Sequence, residues 1–186
     1  YASLYENNEA VIQEVAVYFE YKLLRGNRTL KYSAEFFDAY QTPNYPILGQ
    51  SGVHLNVMKD NLWRSKTNGK FEVDTNNQNS ILNTKNTIFN TEKTLQTLQA
   101  LRDQGTEIVV ISQCVSGGIS FGKYSNSNIF TKIGAISGND ITAESAITKA
   151  MHLLNNPKYE GGFAENFVKN IFRDVSEYIF FAFNHH

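Results

Sequence analysis

The chain has one cysteine, three prolines and no excess of charge of either sign across its 186 residues. Each shortage excludes something. A lone thiol, Cys114, closes no disulfide within the chain, so the fold must rest on a packed core, and a reducing compartment suits it. Seventeen basic residues against 18 acidic ones leave a formal charge of −1, too small a field to gather phosphates or an anionic bilayer. Neither nucleic acid nor a membrane is expected as a partner. The longest apolar runs, residues 108–111 and 178–183, fall far short of the roughly 20 residues that span a bilayer. The opening stretch "YASLYENNEAVIQE" has neither a basic n-region nor an apolar h-region, so no secretory leader is read and a cytoplasmic location is expected. The four histidines, His54, His152, His185 and His186, show no ligand spacing with carboxylates or with Cys114, so no metal site is expected.

What is present is a 41% hydrophobic content, enough for one good core or for a small domain plus part of another. Residues 14–19, rich in β-formers, read as a strand. The loop "RGN" then predicts a chain reversal, because Gly26 and Asn27 most easily take positive φ, with a return strand over 28–32 that carries Lys31. "SAEFFDAY" suits one or two helical turns, which "TPNYP" ends. From Asn56 to Thr87 the chain becomes polar and asparagine-rich and reads as a connection. A helix over 91–102 follows, with Leu95, Leu98 and Leu101 on one face and Gly105 as its stop. The run 108–111 has the pattern of a parallel strand buried on both faces. Thr142 is placed to cap a helix whose buried stripe is Ala146, Ile147, Ala150, Met151 and Leu154, and a last helix from about Ala164 to Phe180 closes the layer. The expected fold class is α/β: the C-terminal end of a larger α/β domain, then a small parallel α/β/α, Rossmann-like domain.

Few residues stand out for chemistry on pattern alone. Cys114 follows a buried strand, where a cysteine is ordinarily a small hydrophobe. "SGGISFGKY" lacks the phosphate-loop spacing although Gly122-Lys123 is there, yet it lies at the C-terminal edge of a sheet, where open α/β sheets place ligands. Glu35 and Asp38 stand three apart on the expected helical turn and read as solvent-facing. Lysines are mostly exposed charges, so Lys31 needs a further reason to be singled out.

That reason is a resemblance. "VYFEYKLLRGNRTLKYSAEFFDAYQTPNYPILGQSG" resembles the end of the large N-terminal domain of type I, cytosolic-type L-asparaginases, with their Arg-Gly-Asn-Arg-x-x-Lys turn and Phe-Asp-Ala-x-x-Ser/Thr-Pro-Asn. "GTEIVVISQCVSGGISFGKY" and "GAISGNDITAESAITKAMHLL" resemble the small C-terminal domain of that family. The resemblance implies residues 1–50 as the end of the catalytic domain, 51–87 as a connecting segment and 88–186 as the C-terminal domain. It implies hydrolysis of L-asparagine to L-aspartate and ammonia, with no metal or organic cofactor, by a homodimer or homotetramer. In this family a threonine attacks the side-chain amide to form an acyl-enzyme, while a second threonine, a lysine and an aspartate assist proton transfer. Lys31 matches that lysine, and Cys114 matches the cysteine of a second, effector site for asparagine.

Departures accompany the match. The glycine-threonine motif of the nucleophile and the Thr-Asp motif do not occur in this chain, nor does the Gly-x-Gly-Asn segment expected before residue 88. Leu30 stands where the effector site has a threonine, and "YSNS", Tyr124 to Ser127, where the family often has Tyr-x-Thr-Gly. A fragment of an asparaginase and a degenerate relative both fit. So do a non-catalytic amino-acid-binding or subunit-contact module and a related glutaminase or amidase.

Overall fold

The computed structural model describes residues 4–7, 9–36, 38–64, 92–121, 128–156 and 159–176. The chain begins with two short antiparallel strands, β1 (Tyr5–Glu6) and β2 (Glu9–Ala10). A hairpin of β3 (Ala16–Phe19) and β4 (Lys22–Arg25) follows, in register from Ala16↔Arg25 to Phe19↔Lys22. Its turn is Glu20-Tyr21, with φ of 43° and 66°. Positive φ at both positions is the turn geometry whose twist suits a two-residue hairpin, even where neither residue is glycine or asparagine.

The reversal therefore lies upstream of the "RGN" that the sequence nominates. Gly26–Arg28 instead form a 3-10 turn. The glycine there serves close approach: its N–H donates to the Val15 carbonyl at 2.9 Å, and a Cβ would lie 2.9 Å from that same oxygen.

Beyond the turn, β5 (Leu30–Lys31) pairs antiparallel with β6 (Tyr40–Gln41), placing Lys31 opposite Tyr40. The loop between them is not helical among its described residues. Ser33 Oγ accepts from the N–H groups of Glu35 (3.1 Å) and Phe36 (3.0 Å), while Tyr32 and Ser33 both donate to the Ala39 carbonyl. A serine that bonds its neighbouring backbone competes with the helix the sequence suggests. Asp38 then pairs with Lys22 rather than sharing a helical face with Glu35.

Next, β7 (Gly49–Ser51) and β8 (Leu55–Val57) complete a sheet ordered β3-β4-β7-β8, filled by the buried Leu23, Leu24 and Leu48. Strand β8 and a 3-10 turn, Lys59–Asn61, thus occupy the start of the stretch read as connection.

The C-terminal half is built from α1 (Glu92–Asp103), β9 (Val109–Val110), α2 (Asn128–Lys132), β10 (Ile136–Ser137), α3 (Ala143–Asn155) and α4 (Gly162–Val168). Strands β9 and β10 are parallel, Ile136 opposite Val109, with flanking bonds from Ile136 N–H to Ile108 and from Gly138 N–H to Val110. Helix α1 stops at Gly105, φ 87°, as its sequence indicates. Its leucine stripe is less covered than expected, Leu101 being 38% exposed, and β9 is half-buried rather than enclosed on both faces. The core lies under α3 and α4: Ile136, Ile141, Ala146, Ala150, Leu153, Phe167 and Val175.

Thr142 caps α3 as its position predicts, accepting from the Ser145 N–H. Of the stripe read for that helix, Ala146 and Ala150 are buried, whereas Leu154 is 41% exposed.

The last helix is shorter than the expected span to Phe180. It ends at Val168, and Arg173 takes a φ of 59°. The physical reason is visible in the next segment, where the carbonyls of Lys169, Phe172 and Asp174 accept from Lys149, Asn27 and Arg28. Carbonyls spoken for by side chains from elsewhere in the fold are not free to continue a helix. Residues 177–180 lie outside the described residues.

Candidate active site

The C-terminal ends of β9 and β10 face the 3-10 turn and the 42–45 turn of the N-terminal half, and polar side chains close that junction. Arg28 is 2% exposed and ends in a guanidinium surrounded by acceptors. Its Nη2 donates to Asp140 Oδ2 at 2.7 Å and to the Asn44 carbonyl at 2.8 Å, and its Nη1 to the Asp174 carbonyl at 2.5 Å. Asp140, 5% exposed, also accepts from Ser176 through N–H (2.8 Å) and Oγ (2.5 Å). Burial pushes the Asp140 carboxyl up, but the hydrogen bonds from Arg28 and Ser176 and the charge of Arg28 outweigh it and hold the carboxyl below its ordinary range.

Two asparagines add the backbone side of the junction. Asn44 Nδ2 donates to the carbonyls of Gly117 and Asp140, both at 3.2 Å, and its Oδ1 accepts from Gly117 N–H at 2.9 Å. Asn27 donates to the Phe172 carbonyl, while its own carbonyl accepts from Ser145 Oγ at 2.6 Å and Thr142 Oγ1 at 3.3 Å. Beneath them Lys149, 3% exposed, meets Asp174 at 2.9 Å. Burial draws the Lys149 amine below the ordinary lysine range, against the pull of Asp174. A pocket of about 250 Å³ opens beside this pair, lined by Asn27, Ser145, Thr148, His152 and Phe172 among others.

Lys31, the candidate catalytic residue, is exposed on β5, three residues after Arg28. Cys114 is exposed in the loop after β9, its N–H donating to Ser112 Oγ at 3.0 Å. The two stand on separate segments, tied among the described residues by the turn just after β6, the partner of the Lys31 strand, which holds the Cys114 loop through Asn44 and Gly117. Leu30 is half-buried beside Lys31, and Tyr124 to Ser127 lie outside the described residues.

Arg28, Asn44 and Asp140 escape a reading by composition and period, since each is an ordinary polar residue in a polar stretch. The available signal was their position within "RGNR", "TPN" and "SGND", inside the stretches that carry the resemblance.

Comparison with known proteins agrees with this two-part geometry. Residues 2–63 match the family model described as Asparaginase, N-terminal, and residues 86–167 match the Glutaminase/Asparaginase C-terminal domain. The fold and the junction thus define an α/β protein carrying parts of the domain pair of glutaminase/asparaginase enzymes. The chain belongs to the asparaginase family.

L-asparaginase 1 of Escherichia coli K12 is 28% identical over 192 aligned positions, covering 82% of this chain and 53% of that protein. An L-asparaginase of Dirofilaria immitis is 30% identical, covering 80% of this chain and 30% of that protein. The chain therefore spans about half the length, or less, of these curated relatives. The crystal structure of L-asparaginase I from Vibrio cholerae superposes with a TM-score of 0.74 at 23% identity, over 89% of this chain and 58% of that one, which establishes the fold alone.

Proposed function

We propose that this chain supplies the end of the catalytic domain and the C-terminal domain of an L-asparaginase, which hydrolyses L-asparagine to L-aspartate and ammonia. The observation that supports this most is the order of the two matched stretches, 2–63 and 86–167, with Lys31 on β5 between the junction residues Arg28 and Asn44. In the reaction a threonine hydroxyl, supplied from outside this chain, attacks the amide carbon. Ammonia leaves with a proton, and water then cleaves the acyl ester to release aspartate. Lys31 assists the movement of the threonine proton.

A lysine does this where burial or a neighbouring cation makes it shed its own proton. The exposed Lys31 is therefore expected to be covered when the site is complete. In the same reading residues 1–50 end the catalytic domain, 51–87 connect and 88–186 form the C-terminal domain. The protein is cytoplasmic and assembles as a homodimer or homotetramer. Cys114 contributes to an effector site for asparagine, which Leu30 weakens by offering no hydroxyl.

Ammonia release from L-asparagine, with L-glutamine as competitor and intact mass determined alongside, tests the reading. Activity is expected from a protein heavier than 21.1 kDa, and Lys31→Met is expected to lower kcat by at least about a hundredfold, the scale of acid–base assistance. Inactivity of the whole protein would leave a binding or subunit-contact module. Glutamine turnover at equal or greater efficiency would point to a glutaminase.

A further inference from the structure

The Lys31 strand is braced on both sides by side chains that reach the C-terminal half. Before it stands Arg28, whose guanidinium is taken by the Asp140 carboxylate, the Asp174 carbonyl and Ser176 Oγ. After its partner strand stands Asn44, which bonds both the N–H and the carbonyl of Gly117 and the carbonyl of Asp140. Both braces end on Asp140, one on its side chain and one on its backbone. Between them β5 and β6 share only the pairs Leu30↔Gln41 and Lys31↔Tyr40, extended by the bonds from Tyr32 and Ser33 to Ala39. So short a ribbon has little stability of its own in water.

The anchor, in contrast, is closely packed. Asn139 holds a φ of 52°, its carbonyl accepts from Ile119 N–H at 2.9 Å, and a Cβ on Gly138 would meet Ile111 Cγ2 at 2.7 Å. The backbone leading into Asp140 is thus packed closely against Ile111 and bonded to Ile119.

We propose that Arg28 and Asn44 are positioning residues for Lys31, with Asp140 as their common anchor, so that the C-terminal half sets where the lysine amine is presented. This rests on the catalytic role proposed for Lys31. Asn44→Ala removes one brace at a half-buried position and leaves the core of the C-terminal half untouched. Hydrogen exchange by mass spectrometry is expected to speed up at least tenfold over residues 29–41, with helix 143–155 unchanged. In the active protein kcat is expected to fall at least tenfold while KM stays within twofold, a split that general loosening of the fold does not produce.

If helix 143–155 also exchanges faster, Arg28→Lys, which keeps the charge and loses the fork, is measured for the same pattern. Unchanged exchange over 29–41 in both variants overturns the proposal, and so does faster exchange with kcat unmoved. An inactive parent overturns the asparaginase reading instead, and exchange over 29–41 then decides by itself whether the braces hold the strand.

Discussion

Asp140 accepts from Arg28, from Ser176 and, through its carbonyl, from the half-buried Asn44, and its ion pair with Arg28 is buried. A buried ion pair is held at some desolvation cost, but removing one partner leaves the other charge stranded, which costs about 3–5 kcal/mol. Asp140→Asn is therefore expected to lower the free energy of unfolding in urea by about that much at pH 7. The pH dependence follows from the direction of the shift. A carboxyl whose folded pKa is depressed contributes stability that is fully present above its unfolded value of about 3.9 and is lost as pH falls through the lower folded value. Stability should thus rise with pH across that acid window, and the slope there should be shallower in Asp140→Asn. An unchanged slope would mean that Asp140 is not the group being titrated.

At the scale of elements, what could be read from the sequence depended on whether local rules decided the outcome. Helix α3 was legible because cap and buried alanines agree, with Thr142 accepting from Ser145 N–H and Ala146 and Ala150 in the core. The hairpin turn was not, since Glu20-Tyr21 carries none of the residues that favour its geometry while "RGN", beginning five residues after Glu20, does. Tertiary context overrode propensity there: the β3–β4 register and the β4–β7 pairing fix where the chain must reverse. Replacing Glu20-Tyr21 by Asn-Gly is then expected to stabilise the fold by about 0.5–1 kcal/mol, by removing the cost of positive φ at two ordinary residues. Thermal unfolding would register this as a raised midpoint. A lowered one would mean that the Tyr21 side chain contributes more than its backbone costs.

For the molecule as a whole, the candidate site was legible only where a residue type sits inside a longer pattern. Lys31 and Cys114 could be nominated in that way, whereas the clasp around Asp140 depends on partners more than a hundred residues apart, such as Arg28 with Asp140 and Asp174, which no local period reveals. Those long-range bonds are expected to govern how the two halves unfold. The one tryptophan, Trp63, lies beside the N-terminal sheet, its N–H donating to Glu14 Oε1 at 2.8 Å, whereas α1, α3 and α4 all lie in the C-terminal half. Tryptophan fluorescence and far-ultraviolet dichroism therefore report different halves. If the clasp couples them, both signals should change at one urea concentration, as a two-state transition requires. In Arg28→Leu/Asp140→Leu both charges leave together, so no stranded ion confuses the result, and the link between the halves goes together with the bonds from Arg28 to the Asn44 carbonyl and from Ser176 to Asp140. The two transitions are then expected to separate, with the fluorescence and helical signals following different midpoints. Coincident curves in that double variant would show that the Asn27 and Asn44 contacts couple the halves without the ion pair.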